Sequence, residues 1–362
     1  MTKSRIMAAV GLCAVVAACS NAPVVPVAPT PSGARPTAGS SGSRVYSLKD
    51  LVVGYVSTGS RTSWAESNDA SFKDSAMQDG ITLKTYDSGN QLSNQISGFN
   101  QFINDPSVNV IVLSAVSTTG YDQVLKAARD AGKLVIVEDR AIEADQTLYY
   151  AYVGPDFEAE GQRAAKAMCD LFDAKGKSTA RVVEIGGDQS SAATGDRHKG
   201  FTDGAAACVN VKMSEIDDQN ASAWDPAQAR TIMDGFLKKY PGGIDGVFGA
   251  NDELAIAGIQ SAQAAGIKPG TGMVFVGVDA TSEGFAYLIN GTLSADVECS
   301  PLLAPQVFDA AVDGLNGIST LPKSIATQET VFFASEGATA LNRVLAVGPR
   351  FSIDNSVQVT DR

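Results

Sequence analysis

From about residue 51 the chain alternates short β-branched runs with longer amphipathic stretches. Strands are predicted over 51–57, 81–86, 108–113 and 134–137, with helices over 64–78, 91–104 and 121–131 between them. Asp79-Gly80 and Ala131-Gly132 act as stop signals, because glycine tolerates the left-handed helix cap. A second set follows, with helices over 156–173, 196–207, 225–240 and 254–265 and strands over 181–185, 211–216, 246–249 and 273–278. After it come a short helix, a strand over 293–297 and a helix over 304–315. Strand–helix alternation with apolar strands implies parallel sheets with right-handed crossovers. The expected architecture is α/β: two doubly wound parallel-sheet lobes joined near 139–154, with the last elements crossing back to make a multi-strand hinge.

The N-terminus reads as targeting rather than fold. Lys3 and Arg5 precede an apolar run over 6–18, too short to span a bilayer. The run ends Val16-Ala17-Ala18-Cys19, small residues before a cysteine, as in a bacterial lipobox where Cys19 would carry lipid. An ordinary signal peptide with an incidental cysteine is the bland alternative. Five of the 14 prolines and no Asp or Glu fall within 20–44, the composition of an extended tether. The expected organisation is a signal peptide over 1–18 and a lipidated cysteine with flexible linker over 19–45. The first lobe takes 46–140 with 299–325, the second 154–298 with 326–335, and a C-terminal extension 336–362.

Of the five cysteines, Cys169, Cys208 and Cys299 stay in the folded part. In an oxidising compartment Cys169 and Cys208, near the ends of two helices flanking one strand, are the better disulfide pair; three buried free thiols are the alternative.

Composition narrows the chemistry. A net charge of −12, or −14 once Lys3 and Arg5 are removed, opposes nucleic-acid binding, which needs clustered Lys and Arg. His198 is the single histidine, so His-based metal cages and Ser-His-Asp triads are disfavoured; no metal and no cofactor are expected. An acidic protein would be held to a membrane by lipid chains rather than by charge.

In open parallel sheets ligands bind beyond the carboxyl ends of strands. The positions there are the 58–64 loop with Arg61 and Trp64, then 114–120, then Glu138-Asp139-Arg140 in the first set. In the second they are Asp196-Arg197, Trp224, Asn251-Asp252-Glu253 and Asp279, with Glu298 ending the return strand. Carboxylates, arginines, an amide and both tryptophans suit a sugar. Its hydroxyls pair with Asp, Asn and Arg, and its C–H faces stack on aromatics. Each residue also has a structural reading: the tryptophans as core, Asp139 and Asp196 as caps or turn residues, Asp252 and Glu253 as helix-N-terminal acids.

With these residues in view, the chain resembles the type I periplasmic sugar-binding proteins of the ribose-binding class, and among them the galactofuranose binders. The matching stretches are 60–64, Leu125-Lys-Ala-Ala-Arg-Asp-Ala-Gly132, Val137-Glu-Asp-Arg140, Gly195-Asp-Arg-His-Lys-Gly-Phe201, Ala250-Asn-Asp-Glu-Leu254 and Gly277-Val-Asp279. The resemblance runs from about Val52 to Phe332. It implies a solute receptor without catalysis, a monomer that hands a monosaccharide to the permease and ATPase subunits of an ABC importer. It places Asp139 and Arg140 on the sugar from one lobe and Arg197, Asn251 and Asp279 from the other. Glu298 falls at the hinge, Trp64 and Trp224 stack, and Asp196 orients Arg197. Ala65 follows Trp64 where furanose binders carry Arg, and Arg61 is the nearest substitute charge. His198 reads as a surface helix residue. A glycosidase is opposed by arginines beside the carboxylates, which lower their pKa. A repressor of the LacI type would need a helix-turn-helix, which the sequence lacks. A sugar- or furanone-sensing lipoprotein and a nucleoside-binding protein remain the rival readings.

Overall fold

The computed structural model describes residues 44–59, 62–319 and 323–340. The signal peptide, Cys19, nearly all of the linker, Arg61 and the extension beyond residue 340 lie outside the described residues.

The first lobe begins β1 (Val52–Ser57), α1 (Ser63–Asp79), β2 (Thr82–Asp87), α2 (Leu92–Ile103), β3 (Val110–Ser114), α3 (Asp122–Asp130), β4 (Leu134–Glu138) and β5 (Ala151–Gly154). The second follows as α4 (Phe157–Ala174), β6 (Thr179–Gly186), α5 (Ala192–Ala206), β7 (Lys212–Asn220), α6 (Pro226–Lys239), β8 (Gly246–Gly249) and α7 (Asp252–Ala264). It continues with β9 (Val274–Asp279), α8 (Ser282–Ile289) and β10 (Ala295–Glu298). The chain then returns through α9 (Ala304–Leu315) and β11 (Ser324–Ala326) before β12 (Val331–Phe333).

Two six-stranded sheets result, ordered β11-β5-β4-β3-β1-β2 and β12-β10-β9-β8-β6-β7. Apart from β11 and β12, the two orders are the same when read along the chain. Every pairing is parallel except β10 with β12. Helices cover both faces, so β3, β8 and β9 are buried throughout and read as continuous apolar runs. The chain passes between sheets three times, at 155–156, 299–303 and 327–330.

Two details differ from the sequence reading. The stretch at 139–154 is not only a joint: β5 within it pairs with β4 and extends the first sheet. No helix precedes β5, only a loop with one 3-10 turn at Gln146–Leu148, so alternation could not flag it. Ala326 also belongs to the first sheet, through β11.

In the second lobe α4 and α5 cross at two glycines. A Cβ on Gly161 would collide with the Arg197 carbonyl, and one on Gly200 with that of Glu158. Only bare backbone allows this approach. Cys169 on α4 and Cys208 just past α5 form a disulfide, Cα–Cα 6.1 Å, fastening the same pair of helices. Cys299 is a buried free thiol.

Candidate functional site

One cavity opens between the two sheets at their carboxyl ends. Thr62, Trp64, Asp139, Arg140, Phe157, Ala193, Arg197, Trp224, Asn251, Asp279 and Cys299 line about 320 Å³ of space. Seven of the residues singled out from sequence therefore meet: Trp64, Asp139, Arg140, Arg197, Trp224, Asn251 and Asp279.

Arg197 is fixed by the glycine-permitted helix crossing. Its Nε donates to Glu160 Oε2 at 2.7 Å, Nη1 to the Ala250 carbonyl at 2.6 Å, and Nη2 reaches Asp279 Oδ1 at 3.3 Å. Its guanidinium lies 5.1 Å from the centroid of the Phe157 ring. The expectation that Asp196 orients Arg197 is overturned: Asp196 is exposed, and Glu160 with Asp279 hold the guanidinium. Neighbouring residues on a helix point about 100° apart, so Asp196 faces away.

On the opposing lobe, Asp139 takes a left-handed backbone (φ 59°) and its N–H donates to the Val153 carbonyl at 3.0 Å. Arg140 Nε lies 3.3 Å from Asp139 Oδ2. Glu138, fully buried behind them, accepts from the Tyr55 hydroxyl at 3.3 Å and from Asn68 Nδ2 at 3.4 Å.

The expected depression of the site carboxyls by arginine does not hold. Burial pushes Asp139 up, against Arg140 and Arg197, which favour its charge. Burial also raises Asp279, again against Arg197, and raises Glu138 with help from Asp139. Desolvation outweighs the neighbouring cations.

Both tryptophans are core and pocket at once, 7% and 5% exposed, yet lining the cavity. Trp64 is pinned at its edge, Nε1 donating to the Cys299 carbonyl at 2.8 Å. Trp224 sits at φ 59°, after Ala223 at φ 53°, and its ring lies flush on Gly187, where a Cβ would strike it. Its Nε1 is buried with no hydrogen-bond partner. Six described non-glycine residues have positive φ, and five of them are Asp139, Ala223, Trp224, Asp279 and Ala280, at or beside the cavity. Such strain gathers at binding sites.

Asn251 caps α7, its Oδ1 accepting from Leu254 N at 3.0 Å, and Nδ2 donates to Glu253 Oε2 at 2.7 Å. Glu298 does not line the cavity. It ends β10 with its carboxylate accepting from Thr330 N at 3.1 Å, so it braces the third crossing, and the next residue, Cys299, takes the lining position. His198 points away to Glu184. Sequence reasoning missed Phe157 and Glu160. An aromatic directly after the lobe joint was a usable signal for Phe157; nothing in the spacing marked Glu160, which meets Arg197 only through the helix crossing.

The match to known proteins covers the same span. Residues 53–317 fit the periplasmic binding protein domain family. The chain is 30% identical over 293 residues to the galactofuranose-binding protein YtfQ of Escherichia coli strain K12, covering 80% of this chain and 89% of that protein. Two solved structures superpose with a TM-score of 0.76, each covering 82% of this chain and 96% of the other. One is a Mycobacterium smegmatis protein in complex with β-D-fucofuranose, at 32% identity. The other is the periplasmic binding component of the arabinose ABC transporter of Shewanella sp. ANA-3, bound to α- and β-L-arabinofuranose, at 30% identity. With two parallel-sheet lobes closed on one polar, tryptophan-walled cavity, this chain belongs to the periplasmic binding protein domain family.

Proposed function

We propose that this protein is the extracytoplasmic receptor of an ABC sugar importer and that its ligand is a monosaccharide in the furanose ring form. The observation that carries the reading is the cavity itself. One tryptophan from each lobe walls it, and Asp139, Arg140, Arg197, Asn251 and Asp279 ring it with donors and acceptors. Trp224 contributes an uncommitted indole N–H beside that ring. Buried polar groups of this kind are stabilised when ligand hydroxyls complete their hydrogen bonds. The furanose preference rests on the relatives crystallised with five-membered-ring sugars and on the galactofuranose binder.

The protein acts without catalysis, as a monomer. Asp139, Arg140, Trp64, Arg197, Trp224, Asn251 and Asp279 contact the sugar, and the closed lobes present it to a permease with its ATPase. Cys19 carries lipid that tethers the receptor to the outer face of the cell membrane.

The test is a thermal-shift screen of the full chain with methyl furanosides and methyl pyranosides of arabinose, galactose and fucose, which cannot interconvert. A furanoside at a hundredfold excess over Kd stabilises by about 2.7 kcal/mol. A shift with pyranosides alone overturns the ring-form assignment. No shift with any sugar at millimolar concentration overturns the receptor reading.

A further inference from the structure

Away from the cavity, on the outer half of the second lobe, β7 carries one extra residue. Val182 pairs with Glu215 and Val183 with Asp217, leaving Ile216 as a bulge. Residues 215 and 218 would otherwise face opposite sides of the sheet. The bulge puts both on the side that carries Glu184, since Glu215 stands opposite Val182 and Asp218 opposite Glu184. That is the side facing α5, and His198 descends onto it.

The result is a trio drawn from three elements. His198 Nδ1 lies 2.8 Å from Glu184 Oε2 and 3.9 Å from Glu215 Oε1. One ligand atom of each residue lies within 4.8 Å of the other two. The Glu184 and Glu215 side chains are only 2% and 14% exposed, whereas His198 is 42% exposed and leaves a way in from solvent. Glu215 Oε1 is shut off from water without a hydrogen-bond partner. Among the described residues no lysine or arginine pairs with either carboxylate. Two nearly buried carboxylates side by side thus share a single imidazole, and a divalent cation would compensate both.

We infer that Glu184, His198 and Glu215 form a binding site for a divalent transition-metal ion, zinc being the best match to the donors. An imidazole nitrogen with two carboxylate oxygens is a donor set that zinc takes, with a fourth position left for water. A tetrahedral ion with bonds of about 2.1 Å spaces its ligands roughly 3.4 Å apart. The two distances from Nδ1, 2.8 and 3.9 Å, fall on either side of that. A lone histidine disfavoured a metal site in the sequence because ligand spacing along the chain was the only guide. The bulge assembles the set from positions 184, 198 and 215, which no spacing motif contains. The ion would tie α5 to the sheet one residue after Arg197.

The experiment titrates chelator-treated full chain with zinc chloride by calorimetry and follows thermal unfolding. The expected result is one zinc per chain and a rise in Tm of about 5 °C at a hundredfold excess over Kd. Glu215→Gln and His198→Gln should each weaken zinc binding about 100-fold or more. Both residues lie outside the cavity, so sugar affinity in zinc-free buffer should stay at the parent level and report that the variants fold. Absence of a one-to-one zinc isotherm overturns the site, and so does undiminished zinc binding by the folded variants.

Discussion

Glu253, in the first turn of α7, accepts hydrogen bonds from both the backbone N–H (2.9 Å) and the hydroxyl (2.7 Å) of Ser63, the first residue of α1 in the opposite lobe. The carboxylate thus sits on the N-terminus of a helix, where the exposed N–H groups favour negative charge. Its other oxygen accepts from Asn251 Nδ2 at 2.7 Å, and Asn251 lines the cavity. One side chain therefore joins lobe closure to a ligand-facing amide.

Glu253→Ala should weaken sugar binding by about 1–2 kcal/mol, the worth of a charge-assisted hydrogen bond, and do so through faster release. The free protein's stability should hardly change. Stopped-flow tryptophan fluorescence separates the two rates. An unchanged dissociation rate would remove Glu253 from closure.

Arg197 has two duties, which separates it from Arg140. It neutralises buried Glu160 and Asp279 as well as facing the cavity. Arg197→Ala leaves those carboxylates uncompensated, so the free protein should lose about 3–5 kcal/mol of stability along with its sugar affinity. Arg140→Ala should cost about 2–4 kcal/mol of affinity with a smaller loss of stability. Urea unfolding beside calorimetry checks both, and equal stability losses would deny the division.

How far these roles were legible in the sequence depends on what each required. The strands and helices announced themselves because fully covered parallel strands are continuously apolar and their helices are amphipathic. The lining residues were legible because the ends of such strands converge. Glu160 was not, and Glu253, although among the strand-end positions, was not legible as a link between lobes, since their partners Arg197 and Ser63 lie on other helices and meet them only through packing. Glu298 was misplaced by one position: β10 turns its side chain onto Thr330 N and gives the cavity to Cys299. Asp196 failed because adjacency along a helix is not shared direction.

Glu329, in the third crossing, is pushed up to about 9 from 4.5, by burial first and then by the Glu160 carboxylate, with Arg163 Nη1 3.3 Å from its Oε2 pulling the other way. A folded-state pKa above the unfolded one means that the folded protein holds the proton more tightly. This stabilising contribution is complete below about pH 4.5 and is lost as pH rises towards 9. The free protein should therefore unfold at lower urea at pH 8 than at pH 5, with Glu329 supplying roughly 2–4 kcal/mol of the difference. Glu329→Gln keeps the neutral form at every pH and should lessen that slope, the remainder coming from carboxyls such as Glu138 that burial also raises. A parent-like slope in the variant would reject the assignment.

The Cys169–Cys208 bond closes a loop with a sequence separation of 39 around the α4–α5 crossing. In the chain-entropy account, a loop of that size is worth about 4 kcal/mol. The double variant Cys169→Ser/Cys208→Ser should lose about 2–4 kcal/mol in urea unfolding. Its sugar affinity should stay near the parent's, because the glycines rather than the disulfide set the helix approach. A large loss of affinity would mean that the bond itself positions Arg197.

The tryptophans offer the sharpest contrast, because their indole N–H groups differ while their burial does not. Trp64 Nε1 donates to the Cys299 carbonyl; Trp224 Nε1 has no partner. Phenylalanine keeps an aromatic face at either position and removes only the N–H and part of the ring. Trp64→Phe orphans the Cys299 carbonyl in the second crossing and should cost about 1–3 kcal/mol of stability in the free protein. Trp224→Phe removes a donor that was already unsatisfied, so the relief offsets the lost packing and the free protein should stay within about 1 kcal/mol of the parent. Affinity should respond in the opposite order. If a sugar hydroxyl or ring oxygen accepts from Trp224 Nε1, Trp224→Phe loses about 1 kcal/mol or more of binding, while Trp64→Phe, whose N–H never faced the ligand, loses less. Paired urea and calorimetric titrations of the two variants read all four numbers. A Trp224→Phe protein that binds like the parent would show that the indole N–H plays no part in recognition and leave only its ring face to the sugar.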